Sequence, residues 1–185
     1  MYWFLAPLLL GFACNLASAF TTSFSRRWGE RRGSLLTAVL RNVLGIPIWA
    51  IGFFLAARAS SPELWASGTL TTVAGWLLIG AGAGLIVTAL VTIRWRAVTP
   101  SVRDVLAEGG LYAHVRHPMH AGTLLEFAGL LLVKPSATIG LACALGALWI
   151  LLQTKFEEWD LVRRQPAYRD YMDRVPRFLP RFRVK

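Results

Sequence analysis

All three histidines of the 185-residue chain lie in the segment YAHVRHPMHAG, directly before a long apolar run. His114, His117 and His120 recur at every third residue. On one continuous helix this spacing would align three imidazoles loosely along an edge, as in a metal site. Pro118 disfavours that arrangement, because a proline restricts the residue before it and usually begins a helix. The segment also contains no carboxylate or cysteine to complete a ligand set, so no metal is expected.

The same segment has two further interpretations. A helix that begins at Pro118 presents free backbone N–H groups and its positive end, and Arg116 adds a planar fork suited to a carboxylate or a phosphate. The segment would then bind an anionic group. Alternatively, the basic side chains form a collar that extends from a membrane helix to the lipid headgroups.

Acidic residues occur in two places further along the chain. Glu126 lies inside the apolar run, where hydrocarbon does not tolerate an unpaired charge. It either forms a structural pair with Arg94 or Arg96 or takes part directly in chemistry. The segment 155–180 alternates aromatic and apolar residues with acids and arginines, which favours an interfacial amphipathic helix continuing from the last apolar stretch. Its acids either form intrahelical salt bridges in solvent or contribute to a site.

The elements that position these residues are expected to be membrane helices. The chain is 55% hydrophobic and 16% charged, well below the roughly 25% charged residues of soluble domains. The composition therefore predicts an all-α integral membrane protein, one domain over residues 1–185, with about five transmembrane helices. The last two form a short helical hairpin, and a C-terminal amphipathic cytoplasmic helix follows. The expected spans are 3–20, 38–57, 70–93, 120–133 and 137–153.

Details of the first three spans give further expectations. The first lacks a basic segment before it and is expected to be retained rather than cleaved as a signal. In the second, Pro47 predicts a kink and Arg41 is expected to extend to the headgroups. The third has small residues that let helices approach closely in lipid. These are Gly75, Gly80, Gly82 and Gly84.

The distribution of arginine predicts the orientation. The first loop, the segment 94–119 and the C-terminal tail are arginine-rich, whereas the loop between the second and third spans has Arg58 against Glu63. The positive-inside rule then places the N-terminus outside and the regions 94–119 and 154–185 in the cytoplasm, with a bacterial inner membrane as the expected location. Because the arginines lie at the ends of apolar runs, the net charge of +10 favours anionic lipid rather than nucleic acid as partner.

EGGLYAHVRHPMHAG is followed by an apolar hairpin and then by EEWDL and PAYRDYMDRVPRFLP. This order resembles the isoprenylcysteine carboxyl methyltransferase and phospholipid methyltransferase superfamily of integral membrane enzymes, over residues 104–180. The chain departs from the superfamily at His120, where tyrosine is usual, and at Gln165-Pro166, where Phe-Gly is usual. The superfamily pattern Gly-x-Tyr-x-x-x-Arg-His-Pro falls on Gly110, Tyr112, Arg116, His117 and Pro118.

The resemblance implies S-adenosylmethionine-dependent methyl transfer to a lipophilic or membrane-associated acceptor: an isoprenylcysteine-like carboxylate, a phospholipid amine or another small nucleophile. An arginine at a helix N-terminus can hold the cofactor's carboxylate, acids its ammonium and aromatics its adenine. The alternatives are an NADPH-dependent sterol-type reductase and a non-catalytic protein that binds anionic lipid. The oligomeric state stays open.

The resemblance also implies the site residues. If the acceptor is an ammonium, the candidate catalytic bases are Glu126, His120 and Glu158. The implied cofactor-binding residues are Asp104, Val105, Leu106, Ala107, Tyr112, Arg116, His117, Pro118, Met119, His120, Glu157 and Glu158.

Overall fold

The computed structural model describes residues 2–94 and 101–180 of the chain. Within these ranges the chain is helical, which confirms the all-α expectation, and its β pairing is an isolated bridge between Glu63 and Ser136. In chain order the elements are α1 Leu5–Ser18, α2 Thr21–Trp28, α3 Glu30–Ala38, a π-helical turn Val39–Gly45, α4 Ile46–Arg58, α5 Thr69–Ile93, a 3-10 turn Gly110–Ala113, α6 Pro118–Val133, α7 Ala137–Arg164 and α8 Tyr168–Arg174.

Three helical stretches in the described part of the chain are long and apolar enough to cross a bilayer: Glu30–Arg58, Thr69–Ile93 and Ala137–Arg164. The pair α1 and α2, bent by 65°, makes a fourth if it is counted as one span. Helix α6 has 16 residues and is therefore about 24 Å long, given the rise per residue of an α-helix. This is short for a span, so the count of five stays a prediction. Helix α7 contains the expected last span and continues into the segment 155–180 as far as Arg164, and α8 covers Tyr168–Arg174 of the same segment, whose amphipathic character stays a prediction.

The long helix Glu30–Arg58 accommodates Pro47 with the π-helical turn that comes just before it. A proline has no N–H to donate and its ring crowds the carbonyl four residues earlier, and a wider turn relieves that crowding. Arg41 lies within the turn. It was expected to extend to the headgroups, and this is wrong: its guanidinium lies 3.4 Å from the Ser18 hydroxyl and 3.4 Å from Glu157. Two polar partners inside the bundle hold it there.

Helix α7 lies at the centre of the bundle and contacts α1, α2, α4, α6 and α8. Aromatic side chains fill the space around it. The Phe12 ring stacks on Trp149 with centroids 4.7 Å apart, and the Phe53 ring stacks on Phe127 at 4.9 Å. These rings join α1, α4, α6 and α7 into one apolar core.

Helices α5 and α6 pack against each other at backbone distance. A Cβ added at Gly82 would lie 2.5 Å from the Gly122 carbonyl oxygen, and one at Gly75 would lie 2.7 Å from the Gly129 carbonyl oxygen. Only hydrogen fits at these positions, as expected for close packing in lipid. Gly80 and Gly84 lie away from the contact, with no atom near their added Cβ.

The two ends of the bundle differ in charge. At one end the turn between α6 and α7 meets the loop before α5, where the Leu64 amide donates to the Pro135 carbonyl at 2.7 Å. At the other end lie the arginine-rich segments, where Arg103 pairs with Glu30 at 2.8 Å. The fold therefore gathers the basic segments at one end, as the sequence predicts.

The glycine contact gives a matched test. Gly82→Ala should destabilise the protein by about 1–3 kcal/mol, because the new methyl group meets the α6 backbone. Gly80→Ala should leave stability unchanged or raise it by up to about 1 kcal/mol, because alanine favours the helix and has open space. Thermal unfolding of both variants in detergent checks this, and equal changes would contradict the backbone contact.

Candidate functional site

A cavity of about 430 Å³ lies at the arginine-rich end of the bundle. Its walls come from α1, the π-helical turn, α4, α5, α6, α7 and the segment 104–107. Every expected cofactor-binding residue except Glu158 lines it, although their role in binding stays a prediction. The lining residues from that set are Asp104, Val105, Leu106, Ala107, Tyr112, Arg116, His117, Pro118, Met119, His120 and Glu157.

Glu158 is surrounded by three basic side chains. Its Oε1 accepts hydrogen bonds from Arg116 Nε at 3.0 Å and Arg177 Nε at 3.1 Å, and lies 3.1 Å from His117 Nε2. Its Oε2 accepts from Arg177 Nη2 at 2.5 Å. The side chain is 4% exposed. Both oxygens are engaged by basic side chains, and the expected roles of Glu158 in cofactor binding and as a base stay predictions.

The residues 175–180, named here the C-terminal strap, hold the start of α6. The Arg116 amide donates to the Pro176 carbonyl at 2.9 Å, and the His117 amide donates to the Arg177 carbonyl at 3.0 Å. Arg116 Nη1 also donates to the Met172 and Val175 carbonyls. The strap and the end of α8 therefore fix the backbone of Arg116 and His117 and also the Arg116 guanidinium.

Glu157, unlike its neighbour, faces the cavity. Its Oε1 accepts from Gln153 Nε2 at 2.8 Å and from Arg41 Nη2 at 3.4 Å, and its Oε2 lies 3.7 Å from His117 Nδ1. Gln153 Oε1 is buried and has no hydrogen-bond partner among the described residues. A buried acceptor without a donor costs free energy, and a ligand N–H group in the cavity would satisfy it.

The three histidines do not act as one group. His114 is exposed and lies outside the cavity wall, whereas His117 and His120 line the cavity with ring centroids 5.6 Å apart. Ligand atoms of His117, His120 and Glu157 lie within 4.8 Å of one another. The fold thus brings from α7 the carboxylate that the segment itself lacks. Arg41 already pairs with Glu157 and its charge opposes a divalent cation, so the absence of a metal stays a prediction.

Three tyrosines form the aromatic part of the cavity wall beside the strap: Tyr112, Tyr168 and Tyr171. Burial raises the pKa of Tyr112 and Tyr168, and it raises the pKa of Tyr171 to about 12. All three therefore stay neutral at physiological pH. The Tyr171 hydroxyl donates to the Tyr112 carbonyl at 2.6 Å, which ties α8 to the 3-10 turn.

The N-terminal half contributes cavity residues that the sequence interpretation missed, among them Asn15, Arg41, Asn42 and Trp49. Asn15, Arg41 and Asn42 could have been found as polar residues inside apolar runs, because an ionisable residue at membrane depth marks a functional site by default. No such signal marks Trp49. Glu126 shows the same signal and also lines the cavity. It forms no pair with Arg94, and Arg96 lies outside the described residues.

Fold and cavity together define a multi-pass helical membrane protein with a charged site at one end. A family model described as phospholipid methyltransferase matches residues 70–165, more than half of the chain and the stretch from the second residue of α5 to just past the end of α7. The chain belongs to the phospholipid methyltransferase family, which confirms the resemblance. Comparison with curated proteins and with solved structures gives no match. The family consists of membrane methyltransferases with lipid-like acceptors.

The Glu158 cluster predicts a stability difference between two arginines of the C-terminal region. Arg177→Gln should lower the free energy of unfolding by about 1.5 kcal/mol, because it removes hydrogen bonds to the Glu158 carboxylate. This value is at the lower end of the range for a hydrogen bond to a charged group, since Arg177 is 35% exposed. Arg169→Gln, at an exposed position on α8, should change it by less than about 0.5 kcal/mol. Thermal unfolding in detergent measures both, and equal shifts would contradict the role assigned to the strap.

Proposed function

We propose that the protein is an S-adenosylmethionine-dependent methyltransferase whose acceptor is a lipophilic molecule that enters from the bilayer. The proposal rests on one observation: the two ends of the cavity are lined by different kinds of residue. Its charged end is built from the residues of the family tract, and its other end lies between apolar helices. Family membership supports methyl transfer as the reaction type. The cavity supports it because a polar cofactor can bind at the charged end and an apolar acceptor at the other.

The side chains present fit this cofactor in size and chemistry. A volume of about 430 Å³ lies in the range of small-molecule sites, roughly 300–1,000 Å³. The cofactor carboxylate suits Arg41, which is held by two long hydrogen bonds, better than Arg116, whose Nε and Nη1 are already engaged. The ammonium suits Glu157 and the free acceptor of Gln153. The tyrosine rings suit the adenine.

When bound, S-adenosylmethionine supplies a methyl group from an activated sulfonium, whose sulfur keeps the C–S bonding electrons. The task of the chain is to align the acceptor with that carbon and to exclude water. Alignment of this kind contributes roughly 7–11 kcal/mol to catalysis. The buried walls of α6 and α7, fixed by the Glu158 cluster, provide the necessary rigidity.

Proton removal is required if the acceptor is an ammonium. Of the three candidate bases, Glu158 has no free oxygen, whereas His120 and Glu126 both face the cavity. His120 lies beside Glu157, which can orient its ring. A carboxylate or thiolate acceptor would need no base.

Cofactor binding tests the proposal directly. Isothermal titration in detergent should show binding of S-adenosylmethionine and S-adenosylhomocysteine, weakened at least about tenfold by Arg41→Gln, because a hydrogen bond to a charged group contributes about 1.5–3 kcal/mol. Arg58→Gln, an exposed change at the far end of α4, should leave the affinity unchanged. Binding of NADPH instead would identify a reductase, and binding of neither would favour a non-catalytic lipid-binding protein.

We further propose that the arginine-rich end faces the cytoplasm and that the chain crosses the membrane about five times. In a Cys14→Ala, Cys143→Ala background, a membrane-impermeant maleimide should label Ser60→Cys in intact cells. Arg169→Cys should react only after permeabilisation, because it lies at the opposite end. The reverse pattern would invert the topology.

A further inference from the structure

The turn between α2 and α3 concentrates positive charge. Its sequence, RRWGERR, places four arginines within residues 26–32, named here the basic tip. Gly29, with a φ of 82°, makes the turn. The two helices then pack at backbone distance, since a Cβ added at Gly33 would lie 2.5 Å from the Ser25 nitrogen. All four arginines are exposed, so the basic tip is a compact and accessible positive surface.

Helix length places the basic tip at the level of the lipid headgroups. The helical stretch Glu30–Arg58 is about 42 Å long, given the rise per residue of an α-helix. A bilayer with its headgroup regions is about 40–45 Å thick. When Arg58 lies among the headgroups of one surface, the basic tip therefore reaches those of the other. Helix α2 is bent by 65° from α1, so it runs nearer the membrane plane when α1 crosses the bilayer.

Two exposed tryptophans at this end of the bundle carry stacked arginines. The Arg27 guanidinium carbon lies 5.7 Å from the centre of the Trp28 ring, and that of Arg163 lies 3.8 Å from the centre of the Trp159 ring on α7. Each tryptophan is 45% exposed. Tryptophan is enriched at the headgroup level, where its ring meets the acyl chains and its N–H meets water. The aromatic side chains therefore support the same depth as the helix length does.

The positive charge of the basic tip is not balanced within the tip. Glu30 is its single acid, and that carboxylate is already engaged. It lies 2.8 Å from Arg103 Nε and accepts a hydrogen bond from the Ser101 hydroxyl at 2.9 Å. Anionic phospholipids supply phosphate groups at this depth. Each arginine near such a surface raises the affinity by about fivefold.

The contacts of Glu30 connect the basic tip to the cavity. The Ser101 amide donates to Asp104 Oδ2 at 2.8 Å, and Asp104 lines the cavity. The Ser101 carbonyl accepts a hydrogen bond from Arg164, which also lines the cavity. Restraint of the basic tip therefore restrains the segment 101–107, which forms part of the cavity wall.

We propose that the basic tip binds the headgroups of anionic phospholipids and that this contact holds the segment 101–107 in its place in the cavity wall. The partner is the lipid surface, not a molecule in the cavity, so the inference does not depend on the proposed methyl transfer. When anionic lipid fixes the tip, Glu30 is fixed with it and holds Ser101. In a neutral bilayer the same wall segment has one restraint fewer.

Spin-labelled lipids test the lipid contact. Phosphatidylcholine nanodiscs receive a trace of spin-labelled phosphatidylglycerol or spin-labelled phosphatidylcholine, and electron paramagnetic resonance measures the lipid that the protein immobilises. The wild type should prefer phosphatidylglycerol. Arg27→Gln/Arg31→Gln should weaken that preference at least about fivefold, the effect of one arginine. The control Arg169→Gln/Arg174→Gln removes the same charge at exposed positions on α8 and should weaken it less than about twofold.

Hydrogen exchange tests the connection to the cavity. Addition of about 30 mol% phosphatidylglycerol to the nanodiscs should slow amide exchange in residues 101–107 at least about threefold in the wild type, because the segment opens less often. The same addition should leave exchange in Arg27→Gln/Arg31→Gln unchanged.

Two results would overturn the lipid contact: a wild type without preference for phosphatidylglycerol, and an equal loss of preference in the tip variant and the α8 control. Exchange in residues 101–107 that does not respond to phosphatidylglycerol in the wild type would overturn the connection to the cavity. Neither measurement requires S-adenosylmethionine, so both are decided even if the proposed cofactor does not bind.

Discussion

The rest of the site depends on the interaction of the buried Glu158 carboxylate with its basic partners. It joins the centre of the bundle on α7, the start of α6 and the C-terminal strap through two guanidinium groups and one imidazole. The basic partners compensate the charge of the carboxylate, which would be strongly destabilising if it were left alone in the interior. The charged end of the cavity keeps its shape because this cluster fixes three chain segments that are far apart in sequence.

Helix geometry gives the two adjacent glutamates different surroundings. Successive residues on an α-helix point about 100° apart, so Glu157 faces the cavity while Glu158 faces the strap. The π-helical turn has a matching effect on the opposite wall, where it places Arg41 against Glu157. One glutamate therefore belongs to the scaffold and the other to the binding surface, although both occur in one acidic motif.

Much of this arrangement could be predicted from the sequence, and the limits have physical causes. Apolar runs predicted the helices and the hairpin, because hydrocarbon demands internally bonded backbone. The tract from Tyr112 to His120 predicted one cavity wall, although His114 faces away from it. Arg41 and the division between Glu157 and Glu158 could not be predicted, because they depend on helix rotation and on tertiary partners distant in sequence, 116 residues for the Arg41–Glu157 pair and 42 for the Arg116–Glu158 pair.

The position of the strap also orders the events of synthesis. The helices α1 to α7 can enter the bilayer as they emerge from the ribosome, but Arg177 and the carbonyls that hold Arg116 come from the last helix and the residues after it. Insertion of the apolar helices therefore does not by itself complete the site, because the start of α6 is held by residues that follow α7 in the chain. A chain can be fully embedded in its membrane and still lack the contacts that fix the charged end of its cavity.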